Sequence, residues 1–293
     1  MSRIFDTDRF WDLIKWDITI HKGSILRLAL ALTIAFTFVN IVGLLLVLQT
    51  MNGEPWDYAM RTMNFYLTGI FEMYAASVFL VLMGGTVFKN MRDRRRRIEF
   101  LMLPASTFEK FLNRILRVFF GNLIIVIVAF VAADLLSCLI GLMLDSSFYG
   151  SFTLVFIESV AKFLGRMMLN MGSGDLRYIG LFMWLVVSSF VWAHSSYVLG
   201  GAFFSRNHIL LTTCVHVITS IIFPVVFFGV MYVVCSFESI YAGEDYYGDH
   251  PDTFRHMVIV FACLFNLATI IDYVLAYIIF SKMQIISRKW INL

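Results

Sequence analysis

The length of its apolar runs constrains this chain more than any other feature. Nearly charge-free blocks of about 20 to 28 residues recur along it, long enough to cross a hydrocarbon core of about 30 Å as helices. They fall near residues 26–50, 64–88, 117–144, 178–204, 209–236 and 257–281. Only 15% of the 293 residues are Asp, Glu, Lys or Arg, against about 25% in ordinary globular chains, so few charges are left to cover a water-soluble surface. The expected fold is all-α: a polytopic membrane protein with six transmembrane helices in one transmembrane domain, residues 1–293. The longest polar connection, about 30 residues, is too short to fold by itself.

The opening segment MSRIFDTDRFWDLIKWD mixes acids with bases and has no short apolar core, so no secretory signal is expected. Cys138, Cys214, Cys235 and Cys263 lie in or at the ends of apolar blocks without a C-x-x-C pair, which points to free thiols and away from a disulfide framework or a metal site. An even number of spans puts both termini on one side. Placing them inside gives eighteen Lys and Arg in residues 1–27, 88–117, 205–208 and 282–293, against five on the opposite face. That asymmetry predicts cytoplasmic termini.

The connections carry more information than the spans. Within the cytoplasmic segment 1–25, residues 5–20 read as an interfacial amphipathic helix, with Phe10, Ile14 and Ile18 at intervals of four beside Trp11. A second such helix is expected on the outer side at 152–170, within the segment 117–204 that holds spans three and four; there Glu158, Lys162 and Arg166 share a stripe. The last outer loop, 236–256, is acidic and reads as solvated. Between span two, which ends at residue 88, and span three, the segment 89–116 carries RRRRIEFLMLPASTFEKFLNR. Arg94, Arg95, Arg96 and Arg97 suit anionic lipid headgroups and fix orientation. Pro104 ends the helix that they begin, and Ser106 with Glu109 forms the S-x-x-E pattern of a capping box. The spacing predicts a short helix, a sharp break and a capped helix entering span three. Phe100, Leu101, Leu103 and Phe108 would then be offered to a soluble partner.

The run LMLPASTFEKFLNRIL resembles the corresponding loop in bacterial membrane proteins similar to the permease subunits of type-2, exporter-class ABC transporters. VLGGAFFSRNHIL at 198–210 and LAYIIFSKMQI at 275–285 fit the same group. The resemblance implies a bacterial inner-membrane subunit that forms a homo- or heterodimer. It further implies docking of a cytoplasmic ABC ATPase on residues about 90–112, through Phe100, Leu101, Leu103, Pro104, Ser106, Phe108 and Glu109. One departure stands out: such permeases commonly carry an apolar re-entrant hairpin between spans five and six, whereas that loop, within the segment 209–281, is acidic here. No G-x-x-x-x-G-K-[ST] loop or H-E-x-x-H occurs, so the expected chain is no enzyme, has no catalytic residue, cofactor, metal or nucleic-acid partner, and leaves ATP hydrolysis to another subunit.

Ionisable groups at membrane depth are functional candidates by default. Helical rise groups them by depth: Glu72 with Asp134 toward the outer face, and Asp272 with His194 and His216 toward the inner. They would line a substrate or proton path, or else hold helices together by hydrogen bonds. The expected function is export of a hydrophobic or amphipathic substrate. The alternatives are a non-transporting scaffold or sensory protein of the same fold, an ion-coupled carrier using these acids, and an intramembrane enzyme.

Overall fold

A computed structural model describes residues 5–50, 57–91, 94–144, 151, 153, 154, 157, 158, 161, 162, 165, 175–204, 207–242 and 251–282. Every regular element among them is helical: α1 (Thr7–Thr50), α2 (Asp57–Gly84), α3 (Arg94–Leu101), α4 (Thr107–Leu116), α5 (Asn122–Leu144), α6 (Asp175–Phe203), α7 (His208–Ala242) and α8 (Pro251–Lys282). Five helical stretches among the described residues are long and apolar enough to cross a bilayer: Thr7–Leu46, Met63–Gly84, Thr107–Leu144, Ile179–Phe203 and Val258–Lys282. The sixth expected span, 209–236, lies on α7, of which the described apolar stretch His208–Ile222 is shorter. Large apolar side chains such as Ile34, Phe38, Leu135, Leu139 and Ile270 are exposed while Asn40, Glu72, His194 and Ser195 are buried. That inverted distribution suits helices surrounded by hydrocarbon.

The chain divides into two compact units, one of Met1–Leu80 with Pro104–Gly172 and one of Val81–Leu103 with Ser173–Leu293. In the first, α1 runs parallel to α4 and α5. Position 9 meets 109, position 17 meets 117, and Phe36 meets Phe130 with ring centroids 5.8 Å apart. Ala129, Ala133, Ser137 and Gly141, each one turn beyond the last, form a buried stripe of small residues on α5. Small side chains let helix backbones approach closely in lipid. Ala76, Phe79 and Leu80 of α2 close this core around Phe36, Val126, Ala129 and Ala133.

Here the expectation of a separate interfacial helix at 5–20 is corrected: α1 is uninterrupted from Thr7 to Thr50. Only Gly23 interrupts its side-chain pattern at the junction, and a lone helical glycine costs about 1 kcal/mol, too little to break the helix. Its 44 residues rise about 66 Å, twice the hydrocarbon thickness. The charged first five turns therefore extend beyond the span, and α4 does the same ahead of α5. Arg117–Gly121 joins α4 to α5 as a π-helical turn, a local distortion frequent at functional positions.

In the second unit, α6 packs against α7 and most extensively against α8. Its closest approaches of backbone to backbone lie at Gly201 and at the Gly84–Gly85 pair. A Cβ on Gly201 would lie 2.6 Å from the Gly85 carbonyl oxygen, and one on Gly84 would lie 2.8 Å from the His194 carbonyl. Backbone lies against backbone there, and no side chain fits between. Asn207 takes a left-handed conformation, φ 48°, in the turn to α7, which asparagine tolerates better than most residues. Pro251 opens α8, where its missing N–H costs nothing.

Some expectations fall on other residues. Within the expected outer helix 152–170, residues 153, 154, 157, 158, 161, 162 and 165 are helical, with Glu158 and Lys162 paired at 2.6 Å, and the rest lies outside the described residues. The acidic loop narrows, because α7 continues to Ala242 and α8 begins at Pro251; residues 243–250 between them, and the tail 283–293, are outside the described set.

Candidate functional site

The break at Pro104 and the cap at Ser106 are both formed. Ser106 accepts a hydrogen bond from the Glu109 amide at 3.2 Å, and the Glu109 carboxylate accepts from the Ser106 amide at 2.7 Å. Glu109 does more than cap. Arg9 of α1 donates to it twice, Nε at 2.8 Å and Nη2 at 2.7 Å, and the Asp6 amide donates at 2.8 Å. A planar guanidinium on a carboxylate fixes direction as well as distance, so the start of α1 is oriented on α4. Burial alone would raise the Glu109 carboxyl, but Arg9 and the Ser106 and Asp6 amides outweigh it and bring the group down to about 2.

Two turns further on, Asp17 lies buried between α1 and α4. It accepts from Arg117 at 3.0 Å, pairs with Arg114 at 3.7 Å and faces its own His21 at 3.3 Å. Burial pushes the Asp17 carboxyl up, while His21, Arg117 and Arg114 more than reverse that and leave it lowered. Burial and the neighbouring Arg117 bring Arg114 down to about 10 against the pull of Asp17. The charged extension is thus a two-helix ledge closed by ion pairs at both levels. Phe5 lies against Phe10 and Phe108, with centroids 5.2 and 6.4 Å apart, and Phe5, Trp11 and Phe108 remain exposed.

The residues expected to dock a partner divide between the units. Phe100 and Glu109 are corrected from surface to interior. Phe100 is 2% exposed and packs on Phe280, which also stacks on Phe88; Glu109 is fully enclosed by its donors. Leu101, Leu103 and Ser106 are half-buried, and Pro104 and Phe108 are exposed. In the arginine run, Arg95 is exposed and pairs with Glu99, while Arg97 donates to the Met91 carbonyl and so steadies the preceding turn. The side chains of Arg94 and Arg96 lie outside the described residues.

Glu72 and Asp134 lie within Coulombic reach of each other, while His194, Asp272 and His216 each meet a different residue along the contacts of α6. In the first unit, Glu72 of α2 is 1% exposed and within Coulombic reach of Asp134 of α5, which accepts from the Ser151 hydroxyl and the Thr153 amide. In the second, four consecutive residues of α6 each find a partner on a neighbouring helix. His194 Nδ1 lies 3.1 Å from the Tyr273 hydroxyl, and Ser195 donates to Asp272 at 3.0 Å. Ser196 lies 3.3 Å from His216 Nδ1, and Tyr197 lies 2.8 Å from Thr213. Successive helical residues point about 100° apart, so the layer ties α6 to α7 and α8 around most of its circumference. Trp192 stacks on Phe265 one level away, centroids 5.1 Å apart.

Sequence reasoning did not single out Asp17, Arg114, Arg117 or Tyr273. Spacing within one helix could not reveal them, since each acquires its meaning from a partner on another. Among the described residues no group of three or more His, Cys, Asp or Glu is positioned for a metal ion. Comparison of the chain with family models, curated proteins and solved structures gave no match.

Proposed function

We propose that this chain is the membrane subunit of an ABC-type transporter, exporting a hydrophobic or amphipathic substrate with energy from a separate ATPase. In this reading both termini and the ledge face the cytoplasm of a bacterial inner membrane, and the subunit pairs with a second membrane chain. The observation that carries it is the Glu109 node. One carboxylate caps α4 and clamps the start of α1, which makes a rigid platform with Phe5, Trp11 and Phe108 at its surface. Rigid, partly apolar ledges suit the transmission of force from a soluble engine, because interface anchors are typically aromatic and pre-ordered. The loop resemblance supplies the class of partner.

The test is isolation of the chain from its native membrane. The complex is expected to hydrolyse ATP, and Phe108→Asp is expected to remove that activity while leaving insertion intact. A preparation without any ATP-hydrolysing subunit would overturn the reading. One feature favours a second reading, an ion-coupled carrier: the polar layer on α6 joins Asp272, Ser195, His194 and Tyr273. In that case Asp272→Asn abolishes gradient-driven flux in vesicles with no nucleotide present.

A further inference from the structure

The exposed face of α2 carries a polar group where hydrocarbon offers it nothing. Tyr74 is 68% exposed and sits midway along the apolar stretch Met63–Gly84. Helical rise puts it about 15 Å from either end. That is more than twice the reach of its side chain, so the phenol cannot snorkel to the headgroups where tyrosine ordinarily settles. The bond that Ser77 donates to Tyr74, at 2.7 Å, goes to the backbone carbonyl. Among the described residues no side chain reaches the hydroxyl. A tyrosine hydroxyl taken out of water usually finds a partner, and lipid tails contain none.

The neighbours of Tyr74 complete a seam. Leu67, Phe71, Tyr74 and Val78 are all exposed and follow one another at intervals of four, three and four. That is the spacing by which one helix packs along another with a left-handed twist. The opposite face of α2 buries Phe65, Glu72 and Ala76, so the core of the unit makes no use of the seam. Its chemistry also differs from lipid-facing surface elsewhere. Every large apolar side chain exposed between Ile124 and Leu142 of α5, or between Val260 and Ile278 of α8, is Ile, Leu or Val. The exposed part of α2 includes Met63, Phe71, Met73 and Tyr74 instead, and methionine and aromatic residues are the types that protein interfaces gather.

We propose that this seam of α2 is the contact with a second copy of the chain. Two copies inserted the same way are related by a two-fold axis along the membrane normal, which brings Tyr74 to its own counterpart at equal depth. A hydroxyl is donor and acceptor at once, so one Tyr74 O–H donates and the other oxygen accepts. The face is thereby complementary in charge to itself, as it is not to lipid. The contact gives the proposed membrane pairing its location and rests on that part of the reading, but it needs neither an ATPase nor a substrate.

The experiment is disulfide formation in native membranes, with single cysteines placed in the full chain freed of its four native ones. Leu67→Cys, Phe71→Cys and Val78→Cys should each give at least about fivefold more covalent dimer than Met73→Cys or Leu139→Cys, which are exposed but off the seam. Energy transfer between fluorescently labelled copies, followed on dilution with lipid, measures the association itself. Tyr74→Phe keeps the ring and should weaken it by about 3- to 30-fold, the loss expected of one hydrogen bond between helices in lipid. Equal dimer yields at seam and control positions would overturn the proposal, as would an unchanged affinity in Tyr74→Phe. Seam cysteines that give no dimer would equally overturn it and assign the face to lipid or to the other unit of the same chain. Dimers captured only through the control positions would move the pairing to another face. Absence of an ATP-hydrolysing subunit bears on the transporter reading alone and changes none of these outcomes.

Discussion

Two glycines on one helix should respond to the same substitution with opposite signs. Gly201 and Gly180 both lie on α6, and alanine is the better helix former at either place by about 0.5–1 kcal/mol. Nothing lies within 4 Å of a Cβ on Gly180, so Gly180→Ala should keep that gain. At Gly201 the added carbon meets the Gly85 carbonyl oxygen at 2.6 Å, its carbon at 3.1 Å and its Cα at 3.2 Å. All three are backbone atoms, so no rotamer change relieves the contact. Restoring an ordinary 3.4 Å separation needs a shift of about 0.8 Å between α6 and the turn after α2. Overpacking of this kind costs about 1–3 kcal/mol, which exceeds the propensity gain. The displacement also strains the layer from His194 to Tyr197, one to two turns back. In thermal unfolding, Gly201→Ala should lower Tm by about 2–6 °C, with Gly180→Ala unchanged or slightly raised. Equal behaviour of the two variants would refute the close crossing.

Other consequences follow from the ledge and the polar layer. Arg9→Ala and Glu109→Ala should each release residues 5–22, seen as faster amide exchange there with the spans unaffected. Asp17→Ala leaves Arg114, 3% exposed, without its carboxylate, and should destabilise the first unit by about 3–5 kcal/mol in denaturant unfolding. Glu109 is held at about 2 when folded, against about 4.3 in an unfolded chain. Its contribution is therefore fully present above the ordinary value and is lost as pH falls toward 2. Spin labels at Thr7 and Thr107 should keep their separation from pH 7 to pH 4 and part only below. Tyr273→Phe removes one bond to His194 and should cost about 0.6–2 kcal/mol; a much larger loss would mean that the layer is a single cooperative network.

The sequence made the presence of long apolar helices legible, because a bilayer demands them, and it made the Pro104 break and Ser106 cap legible, because both are local chemistry; the full lengths of α1 and α7 were not legible. Depth reckoning also grouped Glu72 with Asp134 and Ser195's partner Asp272 with His194 and His216, since rise per residue is fixed. Tertiary pairing was not legible. The 5–20 stripe reads equally as a helix lying in the headgroup plane or as one continuing its axis; the ion pairs of Arg9 and Asp17 with α4 decide for the second, and they join positions about 100 residues apart. Phe100 read as a docking residue because the helix, break and helix around Pro104 would offer it to a soluble partner, yet Phe280 covers it. Gly84-Gly85 and Gly200-Gly201 were visible as pairs, but nothing in either pair names the other.

The measurement that bears most directly on the account is membrane-impermeant thiol labelling of Thr107→Cys in a variant free of its four native cysteines. Thr107 is exposed on the ledge, one residue from its cap. Labelling in inverted vesicles and not in intact cells is the predicted result. Labelling in intact cells would put the ledge on the outer face, beyond the reach of any cytoplasmic ATPase.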